Sequence, residues 1–116
     1  MAKVILSEEV LKDNGNTEQD RLSIEAKHFD GMYKLSVQKE TVTNYKEGWS
    51  SVSTLLFANG NFLYRLSAGR KSQKKLDKLN TIIENNKSTL TDLWLQEKFM
   101  EMGNLVKEQA IQNKVI

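Results

Sequence analysis

The sequence predicts one α+β domain over residues 1–116, with an N-terminal antiparallel sheet at about 2–68 and two C-terminal helices at about 70–86 and 89–112. Two observations predict this order. Two dipeptides that favour tight turns, Asp-Gly and Asn-Gly, each lie between runs in which apolar and polar side chains alternate, the pattern of a β-hairpin. Beyond both runs, the apolar residues recur every three or four positions, which is the spacing of a helix.

The N-terminal residues predict a possible short first strand from Ala2 to Leu6. Ser7 and the two glutamates that follow it are typical of the start of one helical turn, because acids are favoured at a helix N-terminus. Residues 13–20 are polar and rich in turn-forming types, so they predict a loop.

Residues 30–31 (Asp-Gly) predict a type I′ turn in a hairpin from Arg21 to about Thr43, because both turn positions need positive φ. This turn fixes the register and places Phe29 opposite Met32. One face then holds Ile24, Ala26, His28, Tyr33, Leu35 and Val37. The other face holds Ser23, Glu25, Lys27, Lys34, Ser36 and Gln38. The agreement of turn chemistry with alternation predicts a well-registered hairpin.

Residues 59–60 (Asn-Gly) predict a second hairpin that pairs Phe57 with Phe62 and Leu55 with Tyr64. One face is expected to hold Trp49, Leu55, Phe57, Phe62, Tyr64 and Leu66. The other is expected to hold Val52, Thr54, Leu56, Leu63 and Arg65. Because both faces are partly apolar, we expect helices on one face and partial cover, from another subunit for example, on the other.

The helical spacing begins after Gly69 with Leu76, Leu79, Ile82 and Ile83. A second helix is predicted to start near Ser88 or Thr89, since Thr89 and Asp92 resemble a capping box, and Gly103 is its predicted weak point. Apolar side chains lie on several sides of this second helix. A helix of that kind is normally buried on several sides, so we expect a homo-oligomer.

The charge of the chain is unevenly distributed. Residues 65–78 hold six cations and one acid, a net +5, so the rest of the chain sums to −3 within a total of +2. This favours a local anion site over a uniformly basic coat. The only early apolar run, Val4 to Leu6, is too short for a signal peptide or a membrane span, so we expect no membrane partner.

The sequence offers little support for catalysis. It has no cysteine, which excludes disulfides and thiolate metal sites and fits a cytoplasmic protein. His28 is the single histidine, and we interpret it as a satisfied histidine of the core rather than a general base. The acids are scattered and no nucleotide-loop, hydrolase or zinc motif occurs. We therefore expect neither an enzyme nor a cofactor.

The segment RLSAGRKSQKKLDKL at residues 65–79 is the strongest functional signal. Its cations repel one another at helical spacing and oppose the helix dipole, at a total cost of about 1–3 kcal/mol before salt screening. A bound phosphate would reverse the sign of these terms and accept hydrogen bonds from the first helical turn. The candidate phosphate ligands are Arg65, Arg70, Lys71, Lys74 and Lys75.

Two other interpretations of this region stay open. The cations form either an anion site or a solvated basic face with acids from elsewhere in the fold nearby. The aromatic face of the second hairpin either stacks bases beside the cations or forms the core under the helices; its rings are Phe57, Phe62, Tyr64 and Trp49. The candidates for stacking a base are Phe62 and Tyr64. The core is the favoured interpretation for these rings, because no other segment supplies enough large apolar side chains.

The order of a sheet and then two helices, with the Arg/Lys junction after FANGNFLYRLSAGRK, resembles the phage-encoded anti-Thoeris sponge proteins. The resemblance implies a non-enzymatic protein that sequesters cyclic nucleotide-type immune signals, such as cyclic ADP-ribose isomers, and that forms oligomers. It would act in the host cytoplasm. It assigns no individual binding residue.

The sequence therefore predicts a binding protein for a small anionic nucleotide ligand. Two alternatives use the same basic segment. One is a nucleic-acid-binding protein, in which the segment contacts a longer polyanion. The other is a phage inhibitor that docks on a host protein or a CRISPR component, where the segment meets an acidic or RNA-bound surface.

Overall fold

The computed structural model describes residues 2–54 and 61–116, in which three helices cover one face of a six-stranded antiparallel sheet. This confirms the mixed α+β class and corrects the number of helices from two to three. The strands are β1 (Ala2–Ile5), β2 (Val10–Leu11), β3 (Thr17–Phe29), β4 (Met32–Asn44), β5 (Ser50–Thr54) and β6 (Asn61–Ala68). The helices are α1 (Gln73–Asn85), α2 (Lys87–Leu95) and α3 (Phe99–Gln112).

The long hairpin of β3 and β4 has the predicted register, with Phe29 opposite Met32. Asp30 and Gly31 have φ values of 53° and 72°, as a type I′ turn requires. β3 begins at Thr17 rather than Arg21, because its first residues pair with the end of β4. The predicted loop over residues 13–20 is therefore wrong in its second half.

The predicted helical turn after Ser7 is also wrong. The Ser7 hydroxyl accepts a hydrogen bond from the backbone N–H of Asp20, at 2.9 Å, and so ties the segment to β3. The next residues form β2, in which Val10 pairs with Glu18. A serine hydroxyl that is bonded to the backbone in this way favours a non-helical conformation over a helix.

β5 and β6 lie end to end along the same edge of β4. β5 pairs with residues 40–44, and β6 pairs with residues 32–38. A bulge at Leu66 leaves that residue without a partner on β4 and turns its side chain into the core. The predicted pairs of Phe57 with Phe62 and of Leu55 with Tyr64 lie outside the described residues.

The predicted second helix is two helices. The chain breaks at residues 96–98, where Glu97 has a φ of 59°, and Gly103 lies inside α3. The predicted capping box is wrong, since α2 begins at Lys87 and no side chain caps its first turn. In contrast, Ser72 caps α1 with its hydroxyl, which accepts from the backbone N–H of Lys75 at 3.3 Å.

The core lies between the helices and one face of the sheet, which we call the inner face. The predicted apolar face of the first hairpin forms its floor, and α1 contributes all four residues expected of it, Leu76, Leu79, Ile82 and Ile83. Phe62 and Tyr64 pack against the margin of the core. Trp49 does not join them: it is 58% exposed and stacks on Tyr45, with ring centroids 3.9 Å apart.

Candidate anion-binding site at the sheet-to-helix junction

The segment between β6 and α1 crosses the turn end of the β3–β4 hairpin and is bonded to it. The N–H of Gly69 donates to the carbonyl of Gly31 at 3.0 Å, and the Tyr33 hydroxyl donates to the carbonyl of Arg70. His28 Nε2 lies 2.8 Å from the Gly69 carbonyl, so its proton belongs on that nitrogen. His28 is thus hydrogen-bonded as predicted, but it is half-buried and lies outside the core. These bonds fix the start of α1 against the sheet.

The first turn of α1 contains no acid, and its residues present basic side chains instead. Ser72 already satisfies the N–H of Lys75. The N–H groups of Gln73 and Lys74 have no acceptor within the helix, because the first four N–H groups of any α-helix lack one. The partial positive charge of this terminus therefore adds to that of the lysines.

Four cations lie at this helix start: Arg70, Lys71, Lys74 and Lys75. Three of them are exposed, and Lys75 is partly buried. Lys78, one turn further along α1, lines a cavity with Asn85 and with Gln109 of α3. The Nζ of Lys75 lies 5.0 Å from the centroid of the Tyr33 ring, a favourable cation–π distance. Tyr33 therefore orients both the junction backbone and one of its cations.

No carboxylate oxygen of residues 2–54 or 61–116 lies within 4.0 Å of these cations; the ion pairs formed there use other lysines. Asp77, the acid inside the segment, accepts a hydrogen bond from Gln73 Nε2 at 2.9 Å. A solvated face balanced by acids from elsewhere in the fold was the alternative interpretation. None of the described acids forms a direct ion pair with the junction cations, so any compensation of their repulsion acts over more than 4.0 Å.

Arg65 does not join this cluster. It lies opposite Lys34 on the sheet face away from the helices, which we call the outer face. Its neighbour Tyr64 points the other way, into contact with α3. The position of Arg65 therefore does not support its predicted role as a phosphate ligand at the junction.

Phe62 and Tyr64 are also placed elsewhere. Phe62 lies opposite Val37, four residues along β4 from Tyr33 or about 13 Å, and its ring centroid is 5.7 Å from that of Phe99. The Tyr64 hydroxyl donates to Asn104 Oδ1 at 2.6 Å. Both rings serve the packing of α3, so neither stacks a base at the junction.

Sequence reasoning missed Tyr33 and His28 as supports of the junction. A signal was present, since both lie beside the Asp-Gly turn on the inner face, with ring centroids 4.8 Å apart. What the pattern did not show was that the chain returns across this turn after β6. Strand pairing, rather than local sequence, brings Gly69 to Gly31.

The described part of the chain contains no group of three or more His, Asp or Glu residues that could hold a metal ion. Its helices are all too short or too polar to cross a bilayer. The chemistry of the junction therefore rests on cations, backbone N–H groups and hydroxyls, all of which bind anions.

The junction combines a fixed helix start, cations without an ion-pair partner among the described residues, and one cation oriented over a buried ring. This arrangement suits an anion of phosphate size. No protein-family model, no curated protein and no solved structure matches the chain.

Proposed function

We propose that this chain is a non-enzymatic binding protein that holds a phosphate-bearing small ligand at the start of α1. One observation carries the proposal: Arg70, Lys71, Lys74 and Lys75 surround a helix start that is bonded to the sheet, and no described acid pairs with them. Such a cluster lowers the stability of the fold, because like charges at helical spacing and cations at a helix N-terminus both cost free energy.

A phosphate at this position would accept hydrogen bonds from the N–H groups of Gln73 and Lys74. Arg70 would supply a bidentate contact, since its planar guanidinium matches two phosphate oxygens. Lys71 and Lys75 would add charge from either side. Since Phe62 and Tyr64 are engaged by α3, we propose that a nucleobase would be held by a second subunit rather than by these rings.

The ligand class that we propose is a cyclic nucleotide or a cyclic ADP-ribose-type signal. The proposed role is sequestration, in which the ligand is bound by charge and released unchanged. This role follows the resemblance to anti-Thoeris sponge proteins, and it would be exercised in the cytoplasm of an infected host. The anion chemistry of the junction supports the ligand class, and the resemblance supports the role.

A thermal-shift screen tests this proposal. Cyclic mono-, di- and trinucleotides, cyclic ADP-ribose isomers and inorganic phosphate would be added at up to millimolar concentration. A ligand that binds only the folded state raises the melting temperature. At a ligand concentration of 100 times its Kd, the free energy of unfolding increases by about 2.7 kcal/mol. Mass spectrometry of the denatured complex should return the same ligand intact, and an altered mass would contradict sequestration.

The site is tested by Arg70→Gln/Lys71→Gln with Lys46→Gln as the matched control. Lys46 is an exposed lysine in the turn between β4 and β5, at the opposite end of the long hairpin. The double variant should lose the ligand-induced shift, and the control should keep it. A shift that survives in the double variant, or a screen in which nothing shifts, would count against the junction site.

A further inference from the structure

Three cations form a row across the outer face of the sheet. Lys27 of β3 lies directly opposite Lys34 of β4, and Lys34 lies directly opposite Arg65 of β6. Adjacent strands are about 4.8 Å apart, so the row crosses about 10 Å of sheet. Like charges directly opposite each other destabilise a sheet, which makes this row unfavourable for folding alone.

The protein compensates this row only in part. Lys27 Nζ lies 3.2 Å from a carboxylate oxygen of Glu25. Lys34 has no carboxylate partner in the described residues, and its Nζ instead lies 5.2 Å from the centroid of the Phe29 ring. Arg65 is exposed and likewise has no acid within 4.0 Å among residues 2–54 and 61–116. The row therefore carries excess positive charge.

A shallow groove of about 280 Å³ runs beside the row. Its walls combine the two lysines with aromatic, aliphatic and amide side chains, among them Phe29, Gln38, Asn61 and Leu63. Phe29 is 62% exposed and Leu63 is 56% exposed, although both are large and apolar. An accessible aromatic ring at the end of a row of cations, with amide donors and acceptors alongside, is the composition of a surface that binds single strands.

We propose that the outer face of the sheet binds single-stranded nucleic acid. Lys34 and Arg65 contact successive phosphates, a base stacks on Phe29, and the amides of Gln38 and Asn61 hydrogen-bond to base edges. This surface is separate from the junction, because α1 lies against the inner face. The proposal stands independently of the small-ligand site at the helix start.

A single strand fits these features better than an acidic peptide does. A carboxylate-rich peptide would use the three cations but would gain little from an exposed ring, whereas every nucleobase has a π-face that stacks on it. Charge and stacking together thus select an unpaired polynucleotide.

Fluorescence anisotropy with labelled oligothymidylates of 4, 8 and 15 nucleotides tests the proposal. We expect affinity to rise with length and to fall with salt. Phe29→Ala should weaken binding about 5- to 100-fold, the range found for loss of one base-stacking ring, and Phe29→Trp should restore it. Arg65→Gln should lower the slope of log affinity against log salt by about 0.7, the value for one lost phosphate contact on a single strand.

The variant Lys46→Gln is the matched control, since it removes one exposed lysine from the far end of the long hairpin, outside both proposed sites. It should leave oligonucleotide affinity within about twofold, the effect of a small change in net charge on long-range attraction. The outer-face proposal is overturned if this control abolishes binding while Arg65→Gln and Phe29→Ala do not. It is also overturned if a poly-glutamate peptide of equal charge binds as tightly and ignores Phe29→Ala.

Both altered side chains are exposed, so neither variant should unfold the protein, and Arg65→Gln should raise the melting temperature slightly because it removes a like charge opposite Lys34. Loss of binding without a large loss of melting temperature supports the surface. The two sites are distinguishable in the same experiments. If Arg70→Gln/Lys71→Gln does not affect small-ligand binding, only the junction site is contradicted. If Arg65→Gln does not affect oligonucleotide binding, only the outer-face site is contradicted.

Discussion

At the scale of single residues, Gly103 shows how closely α3 approaches the sheet. A Cβ built on Gly103 would lie 2.2 Å from Cγ of Tyr64 and 2.4 Å from its Cδ1, well inside contact distance. The ring sits directly on the helix backbone, and its hydroxyl reaches Asn104. Glycine is thus required by packing at a position where its helix propensity is poor.

We expect Gly103→Ala to reduce the free energy of unfolding by about 1–3 kcal/mol, because the Tyr64 ring must move. Urea denaturation measures this change. In a Tyr64→Ala background the same substitution should become neutral or stabilising, since alanine gains about 1 kcal/mol over glycine in a helix. Equal destabilisation in both backgrounds would show that the ring is not the obstacle.

The cations of the junction allow a second prediction at this scale. Arg70→Gln/Lys71→Gln should make the ligand-free protein more stable by about 0.5–1 kcal/mol, because it removes repulsion near the helix N-terminus. The gain should shrink at high salt. The melting temperature measured at low and high salt checks both statements, with Lys46→Gln as the control, and a loss of stability would contradict them.

At the scale of elements, α1 protects an open strand edge. β1 pairs with β3 only as far as Ile24, and beyond it Asn80 Oδ1 accepts a hydrogen bond from the N–H of Ala26 at 2.8 Å. A side chain of the helix thus takes the place of a strand partner. This contact also holds α1 in register with the sheet and so positions the junction.

Asn80→Ala should cost about 1–3 kcal/mol of stability, because it leaves a part-buried N–H without its acceptor. Asn80→Asp retains an acceptor oxygen and should cost less. Chemical denaturation of the two variants gives the comparison. If both lose the same amount, the hydrogen bond is not what Asn80 contributes.

The break between α2 and α3 contains one residue with an unfavourable backbone conformation. Glu97 is exposed and has a φ of 59°, a conformation that costs a non-glycine residue roughly 1 kcal/mol. Glu97→Gly should therefore stabilise the protein by about 0.5–1 kcal/mol, the gain from relieving that strain. The matched change Asp92→Gly, inside α2, should instead destabilise it by about 0.3 kcal/mol, because glycine is a somewhat poorer helix former than aspartate. Thermal unfolding would measure both, and a loss in Glu97→Gly would contradict the assignment of strain.

The elements differ in how far local sequence determines them. The β3–β4 register followed from a turn that demands positive φ and from alternation, which are both local. The helix break was not predictable, because the apolar spacing from Leu95 to Phe99 continues through it and no glycine or proline marks it. Glu97 takes a left-handed conformation so that Trp94 and Phe99 can meet, with ring centroids 4.8 Å apart.

The candidate site shows the same division. Charged residues can be identified from the sequence alone. The cluster of cations at the junction was therefore predicted without a structure; it consists of Arg70, Lys71, Lys74 and Lys75. The position of Arg65 was not, because both faces of its strand are partly apolar and alternation alone does not say which face the helices cover. Tertiary packing made that choice.

At the scale of the whole molecule, the chain is elongated, with principal extents of 51 × 28 × 25 Å. The break after α2 lets Trp94, Met102 and Val106 all face one core, which removes part of the reason for expecting an oligomer. Some large apolar side chains nevertheless stay exposed on this side, among them Leu95, Met100 and Ile111. The homo-oligomer stays a prediction.

Light scattering tests the oligomer directly. The chain mass is 13.3 kDa, and we expect a multiple of it. Leu95→Glu/Met100→Glu should lower the measured mass if the exposed apolar corner is buried between subunits, because a charge is costly in such an interface. A mass of 13.3 kDa for the parent protein would contradict the prediction.

The central position of β4 has a consequence for local opening of the fold. It pairs with β3 along its whole length on one side and with β6 and then β5 on the other. Its backbone amides are bonded alternately to the strands on its two sides, so nearly all of them are protected, whereas β2 pairs over just two residues. Exchange with deuterium should therefore be slowest in β4 and fastest in the short strands at the edge. The most persistent part of this protein would then be a strand that carries neither proposed site by itself, yet contributes Tyr33 to one and Lys34 to the other.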